Sequence, residues 1–223
     1  MPHPVFYSFR RCPYAMRARL ALTSARQQVE LREILLRDKP DEMVEASPKA
    51  TVPVMVRLDG SVLDESLDIM LWALEEKDPE NWLRPETGTK SEMLDLMDRM
   101  DNQFKHHLDN YKYASRKAAE GTDPKDHAAH HRSMAMTCLR ELEDRLEDQT
   151  FLFGNRHSLA DSAIAPFVRQ FANTDAEWFA AQPIPNLQRW LSYFVDGDLF
   201  KSVMEKYPQW QTGEPGVSFP QLP

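Results

Sequence analysis

The spacing of apolar residues changes character once along this chain, and that change limits the folds open to it. Up to about residue 78, strand-like runs alternate with helix-like ones; beyond about residue 90 only helical spacing remains. Residues 4–9, rich in β-branched and aromatic side chains, read as a first strand. Ala15, Ala18, Ala21 and Leu22 then recur at three- and four-residue spacing, as in a helix laying a small-residue face on a sheet. Residues 29–34 alternate apolar and charged side chains, the pattern of a half-buried second strand. Residues 52–57 and 61–63 give two more strands joined at Leu58-Asp59-Gly60, whose Asp-Gly pair is a hairpin signal. A helix follows from near Ser66, with Ile69, Met70, Trp72, Ala73 and Leu74 as its apolar positions.

The order βαβ then ββα is that of a thioredoxin-like domain, expected over residues 1–78. Residues 79–90, with two prolines, one glycine and little periodicity, read as a linker. An all-helical C-terminal domain is expected over residues 91–223. Met93, Met97, Met100, Phe104, Leu108 and Tyr111 form its first apolar stripe. Ala135, Leu139, Leu142 and Leu146 form a second; Ala160, Ile164, Phe167 and Phe171 a third; Leu187, Trp190, Leu191 and Phe194 a fourth. Ser158-Leu159-Ala160-Asp161 opens the third as a capping box with Asp in place of Glu or Gln, although His157 and Ser162 replace the usual apolar staple. Pro166 is expected to kink that helix, and the proline-rich tail after Tyr207 to be extended. The fold class is therefore α/β plus all-α.

Composition narrows the function. No run approaches the ~18–20 apolar residues of a membrane helix, and the first residues lack the pattern of a signal peptide, so a cytoplasmic protein with no membrane partner is expected. A net charge of −8 argues against non-specific nucleic-acid binding. Two distant cysteines, Cys12 and Cys138, supply neither a disulfide framework nor a four-thiolate zinc site. Local charge runs the other way: residues 1–37 hold seven arginines against two glutamates. Arg10, Arg11, Arg17 and Arg19 lie close in sequence to Cys12, which suggests a small anionic ligand.

Cys12 stands between the first strand and its helix, and Pro13 suits the first helical position. The thiol thus falls at the N-cap, where free N–H groups and the helix dipole favour a thiolate, so a depressed pKa is expected. A small buried hydrophobe is the alternative reading of such a cysteine.

Residues 11–20, Arg-Cys-Pro-Tyr-Ala-Met-Arg-Ala-Arg-Leu, resemble the cysteine motif of the omega class of cytosolic glutathione S-transferases and of related bacterial omega-like proteins. The resemblance extends over nearly the whole chain. It implies that residues 47–55 carry the family's cis proline at Pro53, with the Val52 backbone pairing the cysteinyl unit of glutathione. It implies that Glu65 and Ser66 capture the γ-glutamyl end and that Lys39 reaches the glycyl carboxylate. Taken alone, Glu65-Ser66 could be a helix cap and Lys39 a solvated charge.

By the same resemblance Cys12 is the nucleophile of glutathione-dependent thiol transfer, with glutathione as co-substrate. Ala15 stands where a CxxC motif would have its second cysteine, so the cycle is expected to be monothiol. Dehydroascorbate reduction, removal of glutathione from small conjugates and weak conjugation to electrophiles all fit. Phe104, His107, Tyr111 and Tyr113 are acceptor-site candidates, with core packing as their other reading. His127, His130 and His131 lack cysteine or carboxylate partners, and no metal is expected. A homodimer is implied. Two other readings share these residues: a non-catalytic binding or regulatory module, and a conjugating enzyme that does not use Cys12 as nucleophile.

Overall fold

The computed structural model describes residues 3–221. The chain divides into two compact units: one joins the segment ending at Glu80 to the segment starting at Asp196, and the other is Asn81–Val195.

In the first unit, β1 (Val5–Ser8), α1 (Pro13–Ser24) and β2 (Val29–Glu33) form the expected βαβ element, and β1 pairs β2 in parallel with Phe6 opposite Leu31. A short helix, α2 (Asp41–Ala46), which no periodicity announced, precedes β3 (Val54–Val56), β4 (Val62–Leu63) and α3 (Ser66–Glu76). β3 runs antiparallel to β1 and to β4. The hairpin turns at Gly60, whose φ of 84° suits a residue without Cβ, while Asp59 accepts hydrogen bonds from the Ser61 backbone and hydroxyl.

Side chains alternate across the sheet, so successive residues of β1 feed different faces. Tyr7 joins Ile34, Met43, Val52, Val54 and Trp210 in one buried cluster. Phe6, Leu31 and Met55, in register with one another, are also buried, and α1 packs on α3.

Among the described residues the tail is free of helix beyond Tyr207, as its prolines predict, but it joins the first unit. Residues 91–223 were expected to be all-helical, yet α11 (Asp198–Val203) packs on α1, and β5 (Val217–Phe219) adds antiparallel to β2, giving the order β4-β3-β1-β2-β5. Trp210 is anchored by its backbone N–H to Glu33 O at 2.8 Å. Three strand residues are too few to show a period; what makes them a strand is the open edge of β2.

The second unit is helical: α4 (Lys90–Arg99), α5 (Lys105–Lys112), α6 (Ala114–Lys117), α7 (Pro124–Arg145), α8 (Leu159–Ala172), α9 (Ala176–Ala180) and most of α10 (Pro185–Asp196). The first apolar stripe, from Met93 to Tyr111, runs over α4 and α5, which a π-helical turn at Met100–Phe104 separates. The helix α8 runs through Pro166, and Trp82 of the expected linker is fully buried, its carbonyl accepting from Leu159 N.

The capping box at α8 is stronger than its sequence suggested. Asp161 Oδ2 accepts from Ser158 N and Oγ, and Oδ1 accepts from Leu152 N and the Trp190 indole. His157 and Ser162, which looked like a loss of the apolar staple, form a polar one: His157 Nε2 lies 2.8 Å from Ser162 Oγ, and the ring packs on Trp82 and Phe151.

Candidate functional site

Cys12 occupies the N-cap of α1 with an extended backbone (φ −79°, ψ 122°), and Pro13 is the first helical residue. Its N–H donates to Phe9 O, closing the turn out of β1, and its carbonyl accepts from Met16 N. The thiol is half-buried and packs against the Tyr7–Val54–Trp210 cluster. Its Sγ lies 3.8 Å from the carbonyl oxygen of Val52, and the Val52–Pro53 peptide bond is cis. Sequence segments forty residues apart thus meet at one sulfur.

Ser66 opens α3 and is buried, its Oγ accepting from Arg17 Nε at 2.9 Å. Since Arg17 lies on α1 beyond Cys12, this bond fixes the α3 N-terminus to the helix that carries the thiol. Glu65, the N-cap of α3, is exposed and pairs with Lys49 at 2.6 Å. Lys49 also reaches Asp64 at 3.0 Å. The Ser47 hydroxyl and then Lys49 hold the Asp64 carboxyl below its usual range, while bonds to Glu65 and Asp64 push Lys49 up. Lys39 sits half-buried just past the turn closed by the Leu35–Asp38 bridge and makes no ion pair among the described residues.

The basic patch inferred from sequence resolves into separate jobs. Arg19 is buried, donating to Ser8 Oγ at 2.8 Å and Val203 O at 3.2 Å and pairing with Glu33. Its charge is neutralised inside the unit, so Arg19 belongs to the framework and not to an anion site; burial pulls its pKa down, against the opposing pull of Glu33. Arg10 joins that framework through its N–H to Glu33 Oε1 at 2.7 Å. Arg11 lies over the Phe9 ring at 5.3 Å.

Three contributors escaped sequence reasoning: Arg17 in its role toward Ser66, Lys49, and Trp210. Trp210 packs edge-on to Tyr7 at 6.0 Å, carries Arg32 over its ring at 4.2 Å, and donates from its indole to Glu214 O at 2.7 Å. Lys49 lay within a segment already singled out, and its spacing to Asp64 and Glu65 follows no helical or strand period. Only the fold brings them together.

The acceptor-site candidates fall in the second unit. Phe104 is fully buried against Phe171, at 5.7 Å between centroids, and Tyr111 is nearly so at 5.3 Å from the same ring. Both serve the helical core in this packing. Tyr113 is half-buried at the end of α5, with Lys112 and Arg116 over its ring. His107 is half-buried, its Nδ1 2.8 Å from His131 Nδ1. Burial lowers the His107 pKa, and burial together with His127 and His107 pushes His131 down to about 4.

Two family models match the chain: "Glutathione S-transferase, N-terminal domain" over residues 6–82 and "Glutathione S-transferase, C-terminal domain" over residues 125–192. Among curated proteins, the rice "Probable glutathione S-transferase DHAR1, cytosolic" is 28% identical over 156 residues, covering 70% of this chain and 64% of that protein. Rat "Glutathione S-transferase omega-1" is 23% identical over 215 residues, covering 91% of this chain and 85% of that protein. Among solved structures, a glutathione transferase family member from Pseudomonas fluorescens, with two glutathione bound, superposes with a TM-score of 0.77 at 18% identity, covering 91% of this chain and 92% of that one. The two family models together span more than half of the sequence, and the chain belongs to the glutathione S-transferase superfamily.

Proposed function

We propose that this protein is an omega-like, cysteine-type glutathione-dependent thiol transferase in which Cys12 forms a mixed disulfide with glutathione. The observation that carries the reading is the half-buried Cys12 thiol at the α1 N-cap, 3.8 Å from the Val52 carbonyl beside a cis proline. Amide donors at a helix start stabilise a thiolate, and a thiolate can attack a disulfide sulfur where a Tyr or Ser hydroxyl cannot.

In the first half of the cycle, the Cys12 thiolate attacks the glutathionyl sulfur of a mixed disulfide. A Cys12–glutathione bond forms as the substrate S–S bond breaks, and the departing thiolate takes a proton from solvent. In the second half, a glutathione thiolate attacks the bound glutathionyl sulfur, releasing glutathione disulfide and the Cys12 thiolate. The second thiol must come from glutathione, because Ala15 occupies the CxxC position. With dehydroascorbate as acceptor, two reduced glutathiones supply the two electrons and two protons and leave as glutathione disulfide. The Val52 backbone, beside Pro53, would pair with the cysteinyl amide. Ser66 and the α3 N-terminus would hold the γ-glutamyl carboxylate, Glu65 its amine and Lys39 the glycyl carboxylate. Tyr113 and His107 remain the half-buried acceptor-site candidates. The proposal includes a cytoplasmic homodimer, which light scattering of the purified chain tests directly.

The deciding experiment compares the native chain with Cys12→Ala in mixed-disulfide reduction and in conjugation of chloronitrobenzene. Reduction falls to background in the variant, and mass spectrometry of the native chain treated with glutathione disulfide shows one glutathionyl group on Cys12. Undiminished reduction by the variant would overturn the mechanism; a native chain that neither reacts with nor binds glutathione would point to a binding module instead.

A further inference from the structure

Five of the chain's seven histidines, His106, His107, His127, His130 and His131, gather where α5 meets α7 in the second unit. His106 and His107 are neighbours on α5; the other three lie on α7, with His127 and His131 one turn apart. Such crowding of imidazoles has no packing rationale of its own, since each ring carries two polar nitrogens that need partners.

From this geometry we infer that His106, His107 and His131 form a binding site for an imidazole-preferring divalent transition ion, Zn²⁺ foremost, that clamps α5 to α7. One ligand nitrogen from each of the three rings lies within 4.8 Å of the others. His107 Nδ1 and His131 Nδ1 face each other at 2.8 Å. Two nitrogens on one tetrahedral Zn²⁺, each about 2.0–2.1 Å from the metal, are roughly 3.3 Å apart, so a slight spreading of the rings admits an ion. Between two neutral rings that short contact needs a proton on one nitrogen, and a cation takes that proton's place by accepting both lone pairs. Three imidazoles leave a fourth position for water, as in three-ligand zinc centres.

A fourth ring beside the three is held in place by the helix packing. Asn110 is buried and its amide donates to His106 O at 2.8 Å, which orients its Oδ1 toward His127 Nε2 at 3.2 Å. His127 is therefore the donor at Nε2, and its ring lies 4.5 Å from that of His131. The π-helical turn at Met100–Phe104 ends two residues before His106 and, by adding a residue to the turn, rotates all that follows by about 100°. Turns of this kind concentrate at functional sites.

The test uses the full chain without an affinity tag, stripped with a chelator and titrated with Zn²⁺ against a chromophoric competitor. One equivalent binds, and His107→Gln and His131→Gln each weaken binding by about tenfold or more. His106→Gln, at an exposed position, does the same and serves where the other variants fail to keep the native circular dichroism. A Cys12→Ser, Cys138→Ser double variant binds Zn²⁺ as the native chain does, which excludes the thiols as ligands. With Co²⁺, the site gives visible d–d absorption without thiolate charge transfer. Absence of stoichiometric binding to the native chain, equal binding by all three histidine variants, or loss of binding in the cysteine variant would each overturn the site.

Discussion

Replacing Trp210 tests whether the tail is structural support for the thiol site or mere covering. The side chain is 7% exposed and shares its cluster with Tyr7, Val52 and Val54, against which Cys12 also packs. A buried tryptophan removes roughly 200 Å² from water, which at about 25 cal/mol per Å² is near 5 kcal/mol. Relaxation of the cavity and a denatured chain that already buries some surface lower this to about 3–4 kcal/mol for Trp210→Ala. The indole hydrogen bond adds little, because its acceptor belongs to exposed Glu214 and turns to water. Arg32 loses the face it stacks on but keeps Glu30 at 2.8 Å and the Tyr7 hydroxyl at 2.8 Å. Trp210→Phe, which retains most of the apolar area, costs about 1 kcal/mol. Urea unfolding followed by circular dichroism measures both losses, and alkylation of Cys12, followed by mass spectrometry, speeds up in the Ala variant as its packing loosens. A loss below about 1 kcal/mol for Trp210→Ala, or equal values for Ala and Phe, would refute the account of the tail as a buried wall.

Asp161→Ala strands the buried N–H groups of Leu152, Ser158 and the Trp190 indole and costs about 3–4 kcal/mol in urea unfolding, because each lost partner leaves a desolvated donor. Burial and then Glu141 push the Cys138 thiol up, so iodoacetamide labels it slowly at neutral pH and its rate keeps rising beyond the ordinary thiol range, as a labelling series against pH will record. The lowered Asp64 pKa means that its bonds contribute fully above the ordinary carboxylate range and are lost as pH falls through the lowered value. Ser47→Ala raises the Asp64 pKa more than Lys49→Met does, in a carboxylate NMR titration, since the Ser47 hydroxyl is the larger cause. Ser66→Ala raises the KM for glutathione with little change in thiol alkylation, if Ser66 holds the ligand and not the sulfur.

Apart from the short α2, the strands and helices of the first unit up to Glu76 are legible because each carries its own period or turn signal: alternation in β2, Asp-Gly in the hairpin, proline after Cys12. Cys12 and Val52 were legible as parts of a motif, and their approach in space follows from β1 and β3 being neighbours. What escaped was whatever depends on distant pairing. The fate of Arg19 rests on Glu33, and that of Glu65 on Lys49; neither pair has a regular spacing. β5 is visible only once β2 offers an edge. The histidines of α7 show only their own spacing in the sequence; that His106 and His107 of α5 lie beside His131 depends on the packing of two helices with α6 and a loop between them.

The sheet's last strand has a consequence for the order of events during synthesis. β2 emerges early, but the strand that covers its outer edge lies nearly two hundred residues later, after the whole helical unit. Until Val217–Phe219 leave the ribosome, the nascent chain carries an unpaired strand edge, the kind of surface on which chains recruit one another. A truncation before residue 217 leaves that edge permanently open.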